Sequence, residues 1–230
     1  DNYLQNLYGR LVTPSLNSIQ KVGKLGLLLS TLLLLPFLFS GCPQSVTKPT
    51  AEDTVLKVGI GAEPRDLDPH LVTGLPDFQV LLALFEGLVR PGPTDDQPIV
   101  PGVAEAWTIS EAGTHYRFQL RENASWSNGD PLLAEHFVFS MRRVLTPSLG
   151  SPHANWLYPI KNARAFHSGD LTNFSKVGIR ATGPRQLDIQ LHRPTPYFLE
   201  LLKHPAFYPV HPETIEKAGA LEQSTTGWAR

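Results

Sequence analysis

Apolar residues are most concentrated near the start of the chain. Residues 25–39 form a largely apolar run without a charged residue, which is followed by the small residues Ser40 and Gly41. The run is shorter than the roughly 20 residues that an untilted transmembrane helix needs. Lys21 and Lys24 precede it. A basic flank, a short apolar run and small residues together are typical of a secretory signal peptide, so we predict a leader over residues 1–41.

Alternation of apolar and polar residues predicts strands at three later places. Residues 54–61 (TVLKVGIG) alternate, and their second face is also partly apolar, which is typical of a strand buried on both sides. Residues 115–120 alternate with one polar face, which predicts a strand exposed to water on one side. Residues 185–191 repeat this second pattern.

Apolar residues spaced three and four apart predict helices between these strands. One such stripe covers residues 77–88, with Asp77 as the predicted N-cap, and a second begins at Ala134. Shorter helices are expected before Pro205 and before Gly219, which stop them. Strands and helices are mixed over the whole region, so we predict an α/β (mixed α+β) fold.

Composition and motifs narrow the class of function. The net charge is −1 and basic residues form no run, so nothing in the sequence indicates a nucleic-acid partner. The histidines at 136, 167, 204 and 211 lack metal-ligand spacing, and no nucleophile elbow is present. The segment GIGAEP lacks the third glycine of a dinucleotide loop. We therefore predict no enzyme activity, no cofactor and no metal site.

The single cysteine, Cys42, directly follows Ser40 and Gly41. This order resembles the lipobox of bacterial lipoproteins, although Phe39 stands where leucine is usual. The resemblance implies cleavage before Cys42 and lipidation of that residue. The alternative is a signal anchor with an incidental free thiol. Residues 42–54 are polar and contain proline, so we predict a flexible tether between the anchor and the folded part.

The segments that follow resemble the extracellular solute-binding proteins of family 5, the receptors that serve oligopeptide and dipeptide ABC importers. The resemblance covers residues 55–219. The core RENASWSNG matches the specific family pattern R-x-x-A-x-W-S-[ND]-G, and SPHANWL and PTPYF point to the oligopeptide branch. Further matching pieces are EPRDLDPHLVTGLPD, LFEGLV, PGVAEAW and PETIEKAG.

The resemblance implies a type II fold like that of the periplasmic binding proteins, in which two lobes close around the solute. First-lobe segments are expected at residues 55–95 and 173–230, with a smaller domain at 96–172. The second lobe is expected to be missing, because family members are much longer than this chain. The chain also starts at Asp1 and has Met141 as its only methionine. We therefore expect a fragment or one piece of a split gene, which binds solute weakly or not at all by itself.

The resemblance also implies a site and partners. Peptides are held in this family mainly through their backbone, and the matching positions imply that Thr73, Leu75 and His153 contact the solute. Thr73 stands where oligopeptide receptors can carry an acidic residue, and His153 where a tyrosine is usual. The implied partners are an oligopeptide and ABC permease subunits.

The resemblance further implies a monomer that is lipid-anchored to the membrane, on the periplasmic or extracellular face of the bacterial cell envelope. Two alternatives to a peptide receptor stay open. One is a receptor for another solute, such as a nickel chelate, haem or an oligosaccharide. The other is a truncated surface lipoprotein with no role in transport.

Overall fold

The structure is a computed structural model and describes residues 56–219. The predicted leader, Cys42 and the tether lie outside these residues, so their assignments stay predictions. The chain divides into a unit that ends at Lys57 and a second unit that begins at Val58. All the elements below belong to the second unit.

Strands and helices alternate through the described residues. The strands are β1 (Val89–Thr94), β2 (Gln97–Pro101), β3 (Ala104–Ile109), β4 (His115–Leu120), β5 (Ile179–Gly183) and β6 (Gln186–Gln190). The α-helices are α1 (Leu75–Leu84), α2 (Ala134–Leu145), α3 (Ala163–His167), α4 (Phe198–Leu201) and α5 (Pro212–Lys217). Short 3-10 helices lie at Pro147–Leu149, Ala154–Leu157, Phe174–Lys176 and Pro205–Phe207. None of the helices in this part of the chain is long and apolar enough to span a membrane.

An antiparallel sheet of four strands, in the order β3-β4-β6-β5, forms the centre of the fold. On β4, Phe118 lies opposite Trp107 of β3 and Leu187 of β6. Tyr116, Phe118 and Leu120 are buried, which confirms the strand with one wet face. A separate hairpin pairs β1 with β2. The four-stranded sheet takes strands from both sides of the domain boundary predicted at residue 172.

Helix α2 covers one face of this sheet and packs on β5 and β6. Its residues Phe137, Met141, Val144 and Leu145 have no exposed surface, so the predicted apolar stripe is confirmed. An Asn-Gly turn precedes α2: Gly129 has a φ of 92°, and the N–H of Trp126 donates to the Asp130 carbonyl at 2.8 Å. Such a φ suits glycine because it has no Cβ.

Helix α1 exists as predicted but begins two residues earlier than its proposed cap. Gly74 is the N-cap, and Asp77 lies in the first turn, where its carboxylate accepts the Gly74 N–H at 3.1 Å. The placement of Asp77 as N-cap is therefore wrong, because Pro76 fits the first turn of a helix and extends it backwards. The expected apolar stripe is only partly buried: Leu81 is enclosed, whereas Leu84 is 63% exposed.

The strand predicted at residues 54–61 is not formed by those of its residues that the structure describes. Residues 56–60 have no strand assignment, and Leu56 and Val58 are 84% and 65% exposed. A strand needs a neighbour for its backbone hydrogen bonds. None of the strands within residues 56–219 pairs with this segment. Apolar alternation alone was therefore not enough to predict a strand here.

Candidate functional site

Two of the predicted solute contacts lie at the end of one loop. This loop, residues 65–74, leads into α1 and is called the anchored loop below. Thr73 is exposed near its end, and Leu75 is 71% exposed at the first position of α1. Thr73 lines an open depression of about 270 Å³ together with Arg65, Asp77 and neighbouring residues. Both predicted contacts are therefore accessible to a ligand.

The third predicted contact, His153, lies directly behind this loop. Its Nε2 is 2.6 Å from the carbonyl oxygen of Val72, the residue before Thr73. Because a carbonyl only accepts, Nε2 must carry the proton and donate. Only 7% of His153 is exposed, and its ring lies 6.1 Å from Phe78 and 4.9 Å from His204, centroid to centroid. The structure thus brings the three predicted residues together, with His153 mostly enclosed.

A buried ion pair fixes the start of the anchored loop. Arg143 of α2 donates from Nη2 to Oδ2 of Asp68 at 2.6 Å and from Nη1 to Oδ1 at 3.0 Å. Arg143 and Asp68 are 0% and 1% exposed, respectively. Burial alone would raise the pKa of Asp68, but hydrogen bonds and the positive charge of Arg143 hold it below its usual value. The carboxylate is therefore ionised at neutral pH.

His70 joins this ion pair to the backbone of Tyr208, 138 positions later in the chain. Its Nδ1 lies 2.8 Å from Nη1 of Arg143, and its Nε2 lies 3.1 Å from the Tyr208 carbonyl. An arginine only donates and a carbonyl only accepts, so His70 is the neutral tautomer with its proton on Nε2. Burial lowers the pKa of His70 to about 4, with the Asp68 charge opposing the shift and Arg143 adding to it.

Two further buried side chains hold the backbone of the same loop. The Ser151 hydroxyl donates to the His70 carbonyl at 2.6 Å and accepts the N–H of His153 at 3.2 Å. Asp77 closes the loop, because its carboxylate accepts the N–H of Arg65 at 2.8 Å and that of Gly74 at 3.1 Å. The loop is therefore fixed at its start, middle and end by side chains, of which sequence reasoning had singled out only Asp77, as an N-cap. The sequence offers one indication of the buried ion pair: Arg143 places a charge beside the apolar stripe of α2.

An aromatic surface borders the loop on the side of His153. Trp156 stacks on His204 with 4.6 Å between ring centroids and an interplanar angle of 16°, and Trp156 is 39% exposed. Together with Phe78 and Leu82 these rings line a depression of about 370 Å³. Burial lowers the pKa of His204 to about 4, and the His153 charge acts in the same direction, so the ring is neutral at pH 7. This surface can accept apolar groups.

The residues of the specific motif RENASWSNG have a structural role. The Trp126 indole packs against the main core and donates to Nδ1 of His136 at 2.9 Å. Phe118 is buried in this core, and Trp107 and Trp126 pack against it. No group of histidines, cysteines and carboxylates that could hold a metal ion occurs within residues 56–219.

Comparison with known proteins agrees with this architecture. The profile of the bacterial extracellular solute-binding proteins, family 5 Middle, matches residues 98–228. The periplasmic murein peptide-binding protein MppA of Escherichia coli (strain K12) is 40% identical over 169 residues, which are 72% of this chain and 30% of MppA. The periplasmic oligopeptide-binding protein OppA of the same strain is 37% identical over 179 residues, or 77% of this chain and 32% of OppA.

A solved structure shows the same fold. The crystal structure of Haemophilus influenzae OppA in complex with RPPGFSPFR matches with a TM-score of 0.64 and 34% identity, over 70% of this chain and 31% of that one. The chain thus spans about a third of the length of these relatives, and the predicted fold class is confirmed for a partial domain. Because the family profile covers more than half of its residues, the chain belongs to family 5 of the bacterial extracellular solute-binding proteins.

Proposed function

We propose that this chain supplies one wall of the peptide-binding site of a receptor that serves an ABC importer. The observation that carries the proposal is the exposure of Thr73 and Leu75 at the end of a loop that buried side chains hold in place. Membership of family 5 and the peptide-binding relatives support a peptide as the solute. His153 contributes by holding the Val72 carbonyl beside these contacts.

The chemistry of this wall suits an extended peptide. Backbone groups and the Thr73 hydroxyl offer neutral hydrogen bonds, which recognise a peptide backbone without selecting its side chains. The aromatic surface around Trp156 and His204 can receive apolar side chains. Thr73 carries no charge, so this residue adds no electrostatic attraction for the peptide amine. The opposite wall would come from a second lobe, which closes the cleft and removes water from these hydrogen bonds.

The same proposal includes the location and the partners of the receptor. The receptor is a monomer whose lipidated Cys42 anchors it to the bacterial cell membrane, facing the periplasm or the exterior. A two-lobe cleft captures the peptide and passes it to permease subunits. The protein is not an enzyme and uses no cofactor. The division into first-lobe segments at 55–95 and 173–230 and a smaller domain at 96–172 belongs to the proposal as well.

Nuclear magnetic resonance on the isotope-labelled chain tests peptide binding at this wall. Trialanine at millimolar concentration should shift the amide signals of residues 73–75 and the indole signal of Trp156. One wall encloses a peptide poorly, and of the two outcomes expected from the sequence, weak binding or none, the proposal requires weak binding in fast exchange. Thr73→Lys should reduce the shifts, because its charge repels the peptide amine. Thr108→Lys is the matched control on an exposed position of β3. Shifts that avoid residues 73–75, or none at all, would contradict the proposal.

A further inference from the structure

The buried polar side chains behind the anchored loop act on its backbone and on the Asp68 carboxylate. We infer that Asp68, Arg143 and Ser151 are positioning residues, which hold the anchored loop in its solute-binding conformation before solute arrives. The inference rests on the proposed function, because it concerns the loop that carries Thr73. These residues lie behind the predicted solute contacts, and they affect solute binding through the conformation of the loop.

The contacts form a continuous path from α2 to Thr73. Arg143 holds the Asp68 carboxylate and Nδ1 of His70. The carbonyl of His70 accepts the Ser151 hydroxyl, and Ser151 in turn accepts the N–H of His153. His153 then donates to the carbonyl of Val72, directly before Thr73. Two carbonyls of the loop, at positions 70 and 72, are thereby fixed.

Stability by itself is a poor explanation of this arrangement. A buried ion pair contributes little net stability compared with well-packed apolar side chains, because removing both charges from water is costly. Its geometry is nevertheless demanding: the planar guanidinium of Arg143 meets both oxygens of Asp68. Any other conformation of the loop would leave a buried charge without this partner. The network therefore selects one loop conformation, and a preformed loop lowers the entropy cost of binding.

Hydrogen exchange on the full chain tests the inference, with Ser151→Ala as the main variant. The reporters are the amides of His70 and Val72, which donate to Asp68, and of Gly74, which donates to Asp77. Loss of the hydroxyl leaves the His70 carbonyl and the His153 N–H without this partner. Hydrogen exchange at the three reporter amides should therefore accelerate about 10-fold. Amides of β4 and β6 should keep their rates. Ser151→Thr, which retains a hydroxyl, should restore protection of the loop.

A matched control separates positioning from general destabilisation. Ser140 of α2 is also buried; its hydroxyl donates to the His136 carbonyl at 2.6 Å and accepts the Val210 N–H at 2.8 Å. Ser140→Ala removes the same group away from the anchored loop, so it should leave the relative protection of the loop unchanged. Equal acceleration of all amides in Ser151→Ala, or an unchanged loop, would overturn the inference.

Trialanine titration connects the loop to the proposed site. If the unmodified chain binds trialanine, Ser151→Ala should weaken its apparent affinity about 5-fold or more, while Ser140→Ala and Ser151→Thr bind normally. Equal affinity of Ser151→Ala despite a loosened loop would overturn the positioning role. If the unmodified chain binds no trialanine, the proposed function fails, and the exchange rates still decide whether these residues fix the loop.

Discussion

The indole N–H of Trp126 donates to Nδ1 of His136 at 2.9 Å, and the same nitrogen accepts the backbone N–H of Leu133 at 3.3 Å. His136 lies in the first turn of α2, and Leu133 is the N-cap of that helix. A histidine thus performs the capping task that glutamate or glutamine usually performs at this position. The contact joins the turn that carries the specific family motif to the helix that packs on the sheet.

We predict that His136→Phe destabilises the fold by about 1–3 kcal/mol, because it leaves two N–H donors without their acceptor. His136→Gln should cost less, since its side-chain oxygen can reach back to the N-cap. Urea unfolding followed by circular dichroism measures both changes. A double-mutant cycle with Trp126→Phe isolates the contact between the two side chains. Additive effects in that cycle would mean that the 2.9 Å contact contributes nothing.

We also predict that the fold loses stability as pH falls from about 6.5 towards 4. Burial lowers the pKa values of His70 and His204 to about 4, and burial lowers that of His136 as well. In this window the unfolded histidines bind protons that the folded ones do not, so acid favours the unfolded state. For the fully buried His70 the loss amounts to about 3 kcal/mol across the window.

Unfolding free energies at pH 7, 6, 5 and 4.5 measure this dependence. His204→Asn is the informative variant, because asparagine does not titrate and can still accept the Ala206 N–H that His204 accepts at 3.1 Å. Its stability should depend less steeply on pH than that of the unmodified chain. Parallel pH profiles for the two proteins would contradict the assignment of a lowered pKa to His204.

The elements that the sequence predicted well are those with local patterns. Apolar and polar residues alternate over residues 115–120, and apolar residues recur every three to four positions over residues 134–145. The buried faces of both elements therefore follow from spacing alone. The anchoring of the site did not follow, because Asp68 and Arg143 are 75 positions apart and no local pattern links them. Thr73 and His153 were identified only through resemblance to a family. The strand prediction for residues 54–61 was wrong for the residues that the structure describes. The apolar pattern fits a strand, but strand pairing depends on neighbouring strands, which the pattern does not reveal.

Breaking the buried ion pair should have a large effect. Arg143→Met leaves the Asp68 carboxylate enclosed without this partner, and we expect a loss of about 3–5 kcal/mol in the free energy of unfolding. Adding Asp68→Asn removes the buried negative charge and should recover part of that loss. Urea denaturation of the single and double variants measures both steps. Arg117→Met, which breaks the exposed pair with Asp188 across β4 and β6, is the control and should have a much smaller effect.

A carboxylate at position 73 should strengthen peptide capture. Thr73 is exposed at the end of the anchored loop, and we propose that the peptide amine lies beside it. Thr73→Glu should therefore tighten trialanine binding. An exposed ion pair contributes at most about 1 kcal/mol, so the gain should be about two- to five-fold. Titrations followed by the amide signals of residues 73–75 measure this change.

Two controls make the Thr73→Glu result specific. N-acetyl-trialanine lacks the positive amine, so its affinity should not rise in this variant, and added salt should reduce the gain for trialanine. Thr108→Glu places the same charge on an exposed position of β3 and should leave both affinities unchanged. A similar gain for the acetylated peptide, or for Thr108→Glu, would mean that position 73 does not face the amine. The peptide would then lie across this wall in another direction, with its apolar side chains on the surface formed by Trp156 and His204.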